Sequence, residues 1–211
     1  MRNASAALAQ PVKLREEQKL LTSRLFVEAA RKMFSEHGYG ATTVDDIVKA
    51  AGASRATFYL HFASKAEAMA AIYESLMPAT AEYWRNLDRS LGSREALRRW
   101  LEQAIDWWAE HREILPALHE AAVVDREIAA KQYAGLRRLT EELTGYFATA
   151  RGAKKRAEAR LRIELLISQL DDFCMKWIVQ KTIEADRGMV LDVLTETWAD
   201  TLGVTQKPAK K

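Results

Sequence analysis

The chain is short of the residues that interrupt helices and cross-link small folds. Its 211 residues include one cysteine, four prolines and nine glycines. A single thiol excludes an intrachain disulfide framework and fits the reducing cytoplasm. Few prolines and glycines mean few turn signals for hairpins, and the many Ala, Leu, Arg and Glu residues favour helices. We therefore expect an all-α, cytoplasmic protein with about nine helices.

Long hydrophobic runs are also missing. No window of the sequence reaches the roughly 20 apolar residues that a membrane span needs, and the apolar stretch at residues 4–9 is too short for a signal peptide. Even so, 48% of the residues are hydrophobic, which is enough for a core in one large or two small domains. We expect a folded protein without a membrane partner.

The sequence carries no signature of catalysis or metal binding. It has no glycine-rich dinucleotide loop, no nucleotide phosphate loop and no nucleophile elbow. His111 and His119 lie eight residues apart near acidic residues, but Pro116 interrupts the helix between them. We interpret them as surface histidines. The expectation is a protein that is not an enzyme and has neither cofactor nor metal.

The net charge of +3 is unevenly distributed. Residues 1–65 contain ten Lys and Arg against six Asp and Glu, a net charge of +4, whereas residues 66–206 carry −4. A basic tail follows at residues 205–211 with Lys207, Lys210 and Lys211. This asymmetry indicates that the first part meets a polyanion, although charge alone does not separate nucleic acid from a membrane surface.

The N-terminal third has the pattern of a helix-turn-helix domain over residues 20–66, preceded by a flexible basic arm over residues 1–19. Apolar residues at helical spacing predict a first helix from Leu21 to His37. Thr43 can cap a short second helix that stops at Gly52, and Ser54 can cap a third. Two short helices joined by a turn with a glycine are typical of this motif.

The third helix has one apolar and one polar face. Phe58 and Phe62 lie four residues apart and should pack inward, which leaves the polar face for the DNA major groove. Arg55 can contact guanine through two hydrogen bonds, whereas Tyr59 and Lys65 suit phosphates. The predicted DNA-binding residues are Thr43, Ser54, Arg55, Thr57, Tyr59, His61 and Lys65.

The run from Thr42 to Lys65, within a longer similarity from Phe26 to Met69, resembles the DNA-binding domain of TetR-family regulators. Val48 and Ala56 stand where that family more often has Ala and Gly. The resemblance implies a homodimer that binds a near-palindromic operator in double-stranded DNA. It also implies a repressor that a small ligand releases from the operator.

Residues 67–204 are predicted to form a helical domain for ligand binding and dimerisation. Helices are expected from Ser64 to Leu91 with a bend at Pro78, then to His111. The remaining helices are predicted at residues 116–124, 125–150, 155–185 and up to 202. The last two are broadly apolar and need a second partner surface, which in the resembling family is their twofold mate. We therefore predict a homodimer through these helices.

Tryptophans at helical spacing suggest the ligand site. Trp100 and Trp107 lie seven residues apart on one helix face, where they line an apolar cavity or simply fill the core. A looser resemblance to the ethionamide-resistance-repressor subgroup implies an apolar tunnel with Gln169 and Asp172 as polar anchors. The predicted residues for a small apolar ligand are Trp100, Trp107, Gln169, Asp172, Phe173 and Trp177. The competing hypothesis is a helical ligand-binding or sequestering protein with only non-specific DNA affinity.

Overall fold

A computed structural model describes residues 4–76 and 78–204, and the side chains of residues 15–76 and 82–204. Every regular element within these ranges is helical, which confirms the all-α prediction. A π-helical turn at Met175–Val179 follows the tenth α-helix. The α-helices are α1 (Ala4–His37), α2 (Val44–Ala50), α3 (Arg55–Tyr59), α4 (Lys65–Leu76), α5 (Pro78–Ser90), α6 (Arg94–His111), α7 (Leu115–Val124), α8 (Arg126–Thr140), α9 (Thr144–Thr149), α10 (Ala153–Cys174) and α11 (Arg187–Leu202).

The chain divides into two compact units. The N-terminal unit comprises the residues up to Ser75 together with Ala117–Ala129, and the C-terminal unit comprises Leu76–Pro116 and the residues from Ala130 onward. Residues 117–129 therefore pack with the first unit, although the sequence assigns them to the second domain. The predicted functional boundaries at residues 20–66 and 67–204 stay predictions. Within the described ranges, no helix is long and apolar enough to cross a bilayer.

The first helix is longer than the sequence pattern predicts. Helix α1 begins at Ala4, whereas apolar periodicity places its start at Leu21 and assigns residues 1–19 to an arm. The physical reason is composition, because residues 4–19 are rich in Ala, Leu, Glu, Gln and Lys, which have high helix propensity without any apolar period. Residues 1–3 and the basic tail at 205–211 lie outside the described residues.

The core of the N-terminal unit is aromatic and surrounds the third helix. Phe26 and Phe58 are fully buried and meet edge to face, with ring centres 5.3 Å apart. Phe62 is buried beside Phe58 at 5.6 Å. The prediction that Phe58 and Phe62 face inward is confirmed. Because aromatic pairs of this geometry add stability beyond their buried area, they hold the short helix α3 against α1.

The core of the C-terminal unit forms where α6 packs against α5 and α11. Ser93 caps α6 by accepting a hydrogen bond from Ala96 N. Trp100 of α6 is buried and contacts Tyr83 of α5 and Trp198 of α11, with ring centres 4.4 and 5.2 Å away. Trp100 therefore lies on the face of α6 that packs into the core.

Two predicted long helices are interrupted in the structure. The helix expected over residues 125–150 is split into α8 and α9, because the Asp88 carboxylate accepts hydrogen bonds from the amides of Gly145 and Tyr146 at 2.8 Å each. Such side-chain acceptors compete with the helical ladder. The helix expected over residues 155–185 ends with the π-helical turn, and Lys181 then adopts a left-handed backbone with φ 54°.

Candidate DNA-binding interface

Both helices of the motif begin at the predicted caps. The Ser54 hydroxyl accepts a hydrogen bond from Thr57 N at 3.1 Å and starts α3. The Thr43 hydroxyl accepts from Asp46 N at 3.2 Å, while Thr43 N and Oγ1 donate to Asp46 Oδ2 at 2.9 and 2.6 Å. These bonds stabilise the Asp46 carboxylate and lower its pKa. The two caps fix where each short helix begins.

The turn between α2 and α3 depends on a glycine. Gly52 adopts φ 63°, a left-handed conformation that costs other residues energy. Ala53 N then donates to Val48 O at 2.9 Å, which closes the turn. The chain reverses within a few residues, so α3 follows α2 at the short separation that a helix-turn-helix requires.

Helix α3 presents a polar, exposed side opposite its buried anchor. Phe58 is fully buried, whereas Arg55 and Tyr59 are exposed. Ser54 is exposed at the start of the helix, and Thr57 is half-buried with its hydroxyl 2.9 Å from Ser54 Oγ. A short helix with its N-terminal side chains exposed can enter a major groove.

Arg55 is already hydrogen-bonded within the domain. Its Nη1 donates to Asp45 Oδ2 at 3.0 Å, and both side chains are more than half exposed, at 59% and 63%. A hydrogen bond to Tyr59 and the charge of Asp45 raise the Arg55 pKa. Because an exposed ion pair contributes little to stability, the guanidinium can exchange Asp45 for a base edge. Sequence analysis missed Asp45, because its contact with Arg55 crosses the turn between the helices.

His61 and Lys65 lie at the other end of the motif. The half-buried His61 ring packs against Phe26, with ring centres 5.8 Å apart. Lys65 Nζ donates to the carbonyl oxygens of Tyr39, Gly40 and Thr42 at 2.7, 3.2 and 2.8 Å. Three acceptors match the three N–H groups of a lysine, so its donors are all occupied here. The geometry favours a role in holding the turn before α2.

The predicted ligand residues on α6 lie in two different environments. Trp100 is buried, stacks on Tyr83 and donates from Nε1 to Tyr83 O at 2.9 Å. Trp107 is half-buried and stacks on His111, with ring centres 4.6 Å apart. Two side chains on one helix side thus contact different aromatic partners.

The predicted ligand residues on α10 and the π-helical turn differ in burial: the aromatic ones are more buried than the polar ones. The rings of Phe173 and Trp177 stack at 5.8 Å and are half-buried. Gln169 and Asp172 are exposed, and the Asp172 carboxylate accepts a hydrogen bond from Lys176 Nζ at 2.6 Å. The structure therefore gives the two polar anchors an exposed position, and the ligand site stays a prediction.

Comparison with known proteins identifies the N-terminal motif. Residues 26–72 match the family described as "Bacterial regulatory proteins, tetR family". These residues are therefore similar to the DNA-binding domain of tetR-family regulators. This match covers α2, the turn and α3, together with the part of α1 that carries Phe26 and Phe34 and the first turns of α4.

Two curated relatives match part of the chain. The Bacillus subtilis protein named "Uncharacterized HTH-type transcriptional regulator YerO" is 23% identical over 110 residues, which cover 51% of this chain and 38% of YerO. The Staphylococcus aureus "Biofilm operon icaADBC HTH-type negative transcriptional regulator IcaR" is 38% identical over 61 residues, which cover 29% of this chain and 31% of IcaR. The matched regions thus span less than two-fifths of either relative.

The fold likeness extends over most of the chain. The crystal structure of a TetR-family transcription regulator from Marinobacter aquaeolei superimposes with a TM-score of 0.60 and 19% identity, covering 90% of this chain and 97% of that one. At this identity the likeness shows the fold alone. The finer resemblance to the ethionamide-resistance-repressor subgroup stays a prediction.

Proposed function

We propose that the protein is a sequence-specific transcriptional regulator that acts in the cytoplasm as a repressor on a near-palindromic operator in double-stranded DNA. One observation carries this proposal: α3 is capped by Ser54, anchored by the buried Phe58 and polar on its exposed side. A helix held in this way keeps its outward side chains at fixed positions, which base recognition requires. The relationship to IcaR, which is named a negative regulator, supports repression.

The chemistry of the exposed side supports two kinds of contact. Arg55 suits the O6 and N7 atoms of guanine, and Ser54 and Thr57 lie beside it at the start of α3. Thr43, Tyr59 and His61 suit the phosphate backbone, which sets the register without specifying sequence. Lys65 supports the same surface through the carbonyl groups that it binds.

A second copy of the chain is the proposed partner of α10 and α11. Four large apolar side chains on these helices are more than half exposed: Leu161, Leu165, Met189 and Val193. Apolar patches of this kind mark interfaces, and twofold dimers match palindromic operators. Light scattering after size exclusion should give a dimer for the wild type and a monomer for Leu165→Glu. The control Val123→Glu changes an 85% exposed side chain of α7 and should remain a dimer.

A small apolar ligand is the proposed inducer. It would bind near the aromatic side chains Trp100, Trp107, Phe173 and Trp177 and favour a dimer state with weaker operator affinity. Its effect on that affinity is limited by the difference between its affinities for the two states. Thermal-shift titration should show stabilisation by apolar compounds that carry a carbonyl, amide or amine. Stabilisation by strongly polar compounds alone would contradict this part of the proposal.

Selection of DNA fragments from the source genome tests the regulator itself. The wild-type protein should enrich inverted repeats whose half-sites lie about one helical turn apart. A reporter downstream of such a site should be expressed less when the protein is present. Recovery of fragments without any shared sequence would instead favour a helical ligand-binding protein with only electrostatic DNA affinity.

A further inference from the structure

A carboxylate far along the chain holds the turn that precedes α2. Glu120 of α7 accepts a hydrogen bond from Tyr39 N at Oε2, 2.8 Å away, and another from Gly40 N at Oε1, 3.0 Å away. Both amides belong to the segment between α1 and α2. Hydrogen bonds to an ionised carboxylate are about twice as strong as neutral ones. Glu120 lies outside the residues that match the tetR family.

The turn has small residues where the carboxylate approaches. A Cβ atom on Gly40 would lie 2.6 Å from Glu120 Oε1, and one on Gly38 would lie 2.9 Å from Oε2. Gly38 also has φ 82°, whereas Gly40 is not among the glycines with positive φ. At Gly40 the backbone itself therefore admits alanine, and the obstacle to a side chain is the carboxylate of Glu120.

Lys65 binds the same peptide units from their carbonyl side. Its ammonium group donates to Tyr39 O, Gly40 O and Thr42 O and lies 4.5 Å from the centre of the Tyr39 ring. Burial lowers the Lys65 pKa, and the charge of Glu120 opposes this shift. The N–H groups of Tyr39 and Gly40 thus donate to the carboxylate of Glu120, and their C=O groups accept from the ammonium group of Lys65.

The held segment leads directly to the predicted phosphate contact. Thr42 Oγ1 donates to Gly38 O at 2.7 Å, and Thr43 then caps α2. We propose that Glu120 is a positioning residue for DNA binding: it fixes the turn that places Thr43 against the phosphate backbone. This assignment rests on the proposed function. It adds a residue that touches no DNA and lies beyond the helix-turn-helix.

The test relies on the direction in which loss of the Glu120 charge changes DNA affinity. Neutralising an acidic residue near DNA reduces repulsion and by itself strengthens binding. A positioning role predicts the opposite for Glu120→Gln, because the glutamine NH2 group cannot accept the second amide hydrogen bond. We expect about tenfold weaker binding to selected and random duplexes alike. Fluorescence anisotropy measures both affinities, and circular dichroism verifies folding at the binding temperature.

Glu28→Gln is the matched control, because Glu28 is exposed on α1 of the same unit and loses the same charge. Its affinity should equal or exceed that of the wild type. Binding by Glu120→Gln that is as tight as that of Glu28→Gln overturns the assignment while the proposed function stands. A wild type that binds no duplex overturns both.

A double-mutant cycle separates positioning from general loss of stability. Gly40→Ala should weaken DNA binding in the wild-type background, because the new methyl group displaces the carboxylate. The same substitution should have little further effect in Glu120→Ala, where no carboxylate remains. Independent effects of the two substitutions would show that Gly40 does not act through Glu120, and they would contradict the proposal.

Discussion

The two units of the chain hold their candidate functional side chains in different ways. In the N-terminal unit the predicted DNA contacts are mostly exposed, and side chain to backbone hydrogen bonds fix them, as at Thr43 and Ser54. In the C-terminal unit four of the six predicted ligand residues are aromatic rings stacked on other rings, as at Trp100 and Trp107. Hydrogen bonds and caps leave a signature in local sequence, whereas ring stacking depends on residues distant along the chain.

This difference explains why the candidate function of the N-terminal unit can be predicted from its sequence, whereas the ligand of the C-terminal unit cannot. The family match ends at residue 72, within the N-terminal unit. Beyond it, likeness to known structures persists at the level of fold. A helical domain can keep its packing while the side chains around a ligand change, so fold alone does not identify a ligand.

The largest effect is expected from the buried anchor of α3. Phe58→Ala should lower the free energy of unfolding of the N-terminal unit by about 3–5 kcal/mol and abolish specific DNA binding. The reason is that Phe58 is fully buried between Phe26 and Phe62. Urea unfolding followed by circular dichroism measures the loss. Leu60→Ala, at a 76% exposed position, should change stability by less than about 0.5 kcal/mol. Similar losses for both variants would contradict the assigned packing.

Arg55→Ala should have the next largest effect and should act on recognition more than on stability. We expect a loss of about 1–3 kcal/mol in binding to the selected operator, with a relaxed preference at one base position. Anisotropy titrations with selected and random duplexes measure both quantities. Arg151→Ala removes an equal charge at an exposed site in the C-terminal unit and should leave the preference intact. Equal losses on both duplexes for Arg55→Ala would refute its contact with a base.

Removing helix caps compares the two units directly. Ser54→Ala and Ser93→Ala each delete a serine cap, of α3 and α6, and each should cost about 1 kcal/mol of unfolding free energy. Only Ser54→Ala should also weaken DNA binding, because α3 has five residues and its first turn is the predicted contact. Ser54→Asp should restore the cap and not the DNA affinity, since it adds a negative charge. Weaker binding by Ser93→Ala would contradict this separation.

The smallest effect is a pH dependence at the α2 cap. Hydrogen bonds from Thr43 lower the Asp46 pKa in the folded state, so this group stabilises the fold above its unfolded pKa. That contribution is lost as pH falls through the lower, folded pKa, in the region below about pH 4. Asp46→Asn should therefore lose less stability than the wild type on acidification. If the unfolding free energies of the two proteins fall equally as the pH is lowered, the Asp46 carboxylate does not contribute to stability in this way.

Much of the N-terminal unit could be predicted from sequence. The caps at Thr43 and Ser54, the turn at Gly52 and the inward position of Phe58 all follow from short-range rules about backbone and side-chain preferences. Glu120 could not be predicted, because its partners lie 80 and 81 residues away and share no periodicity with it. The glycines on both sides of Tyr39 were the signal available in the sequence. They indicate that another group approaches the backbone closely, but they do not identify that group.

Less of the C-terminal unit could be predicted. Helical periodicity located α6 and α11, yet it joined α8 to α9 because the Asp88 contacts that separate them come from another helix. It also could not show that Gln169 and Asp172 would be exposed, since their spacing fits a buried or an exposed position equally. These features depend on tertiary packing, which overrides local preference.

The most direct test of the central claim is the ratio of two affinities. Competition binding at physiological salt should compare a duplex selected from the genome with a random duplex of equal length. The predicted recognition by Arg55 and its neighbours requires the selected duplex to bind about 1,000-fold more tightly or better, with Arg55→Ala narrowing the ratio. A ratio near one for the wild type would show that the basic segment of residues 1–65 binds DNA through charge alone, and it would contradict the proposed function.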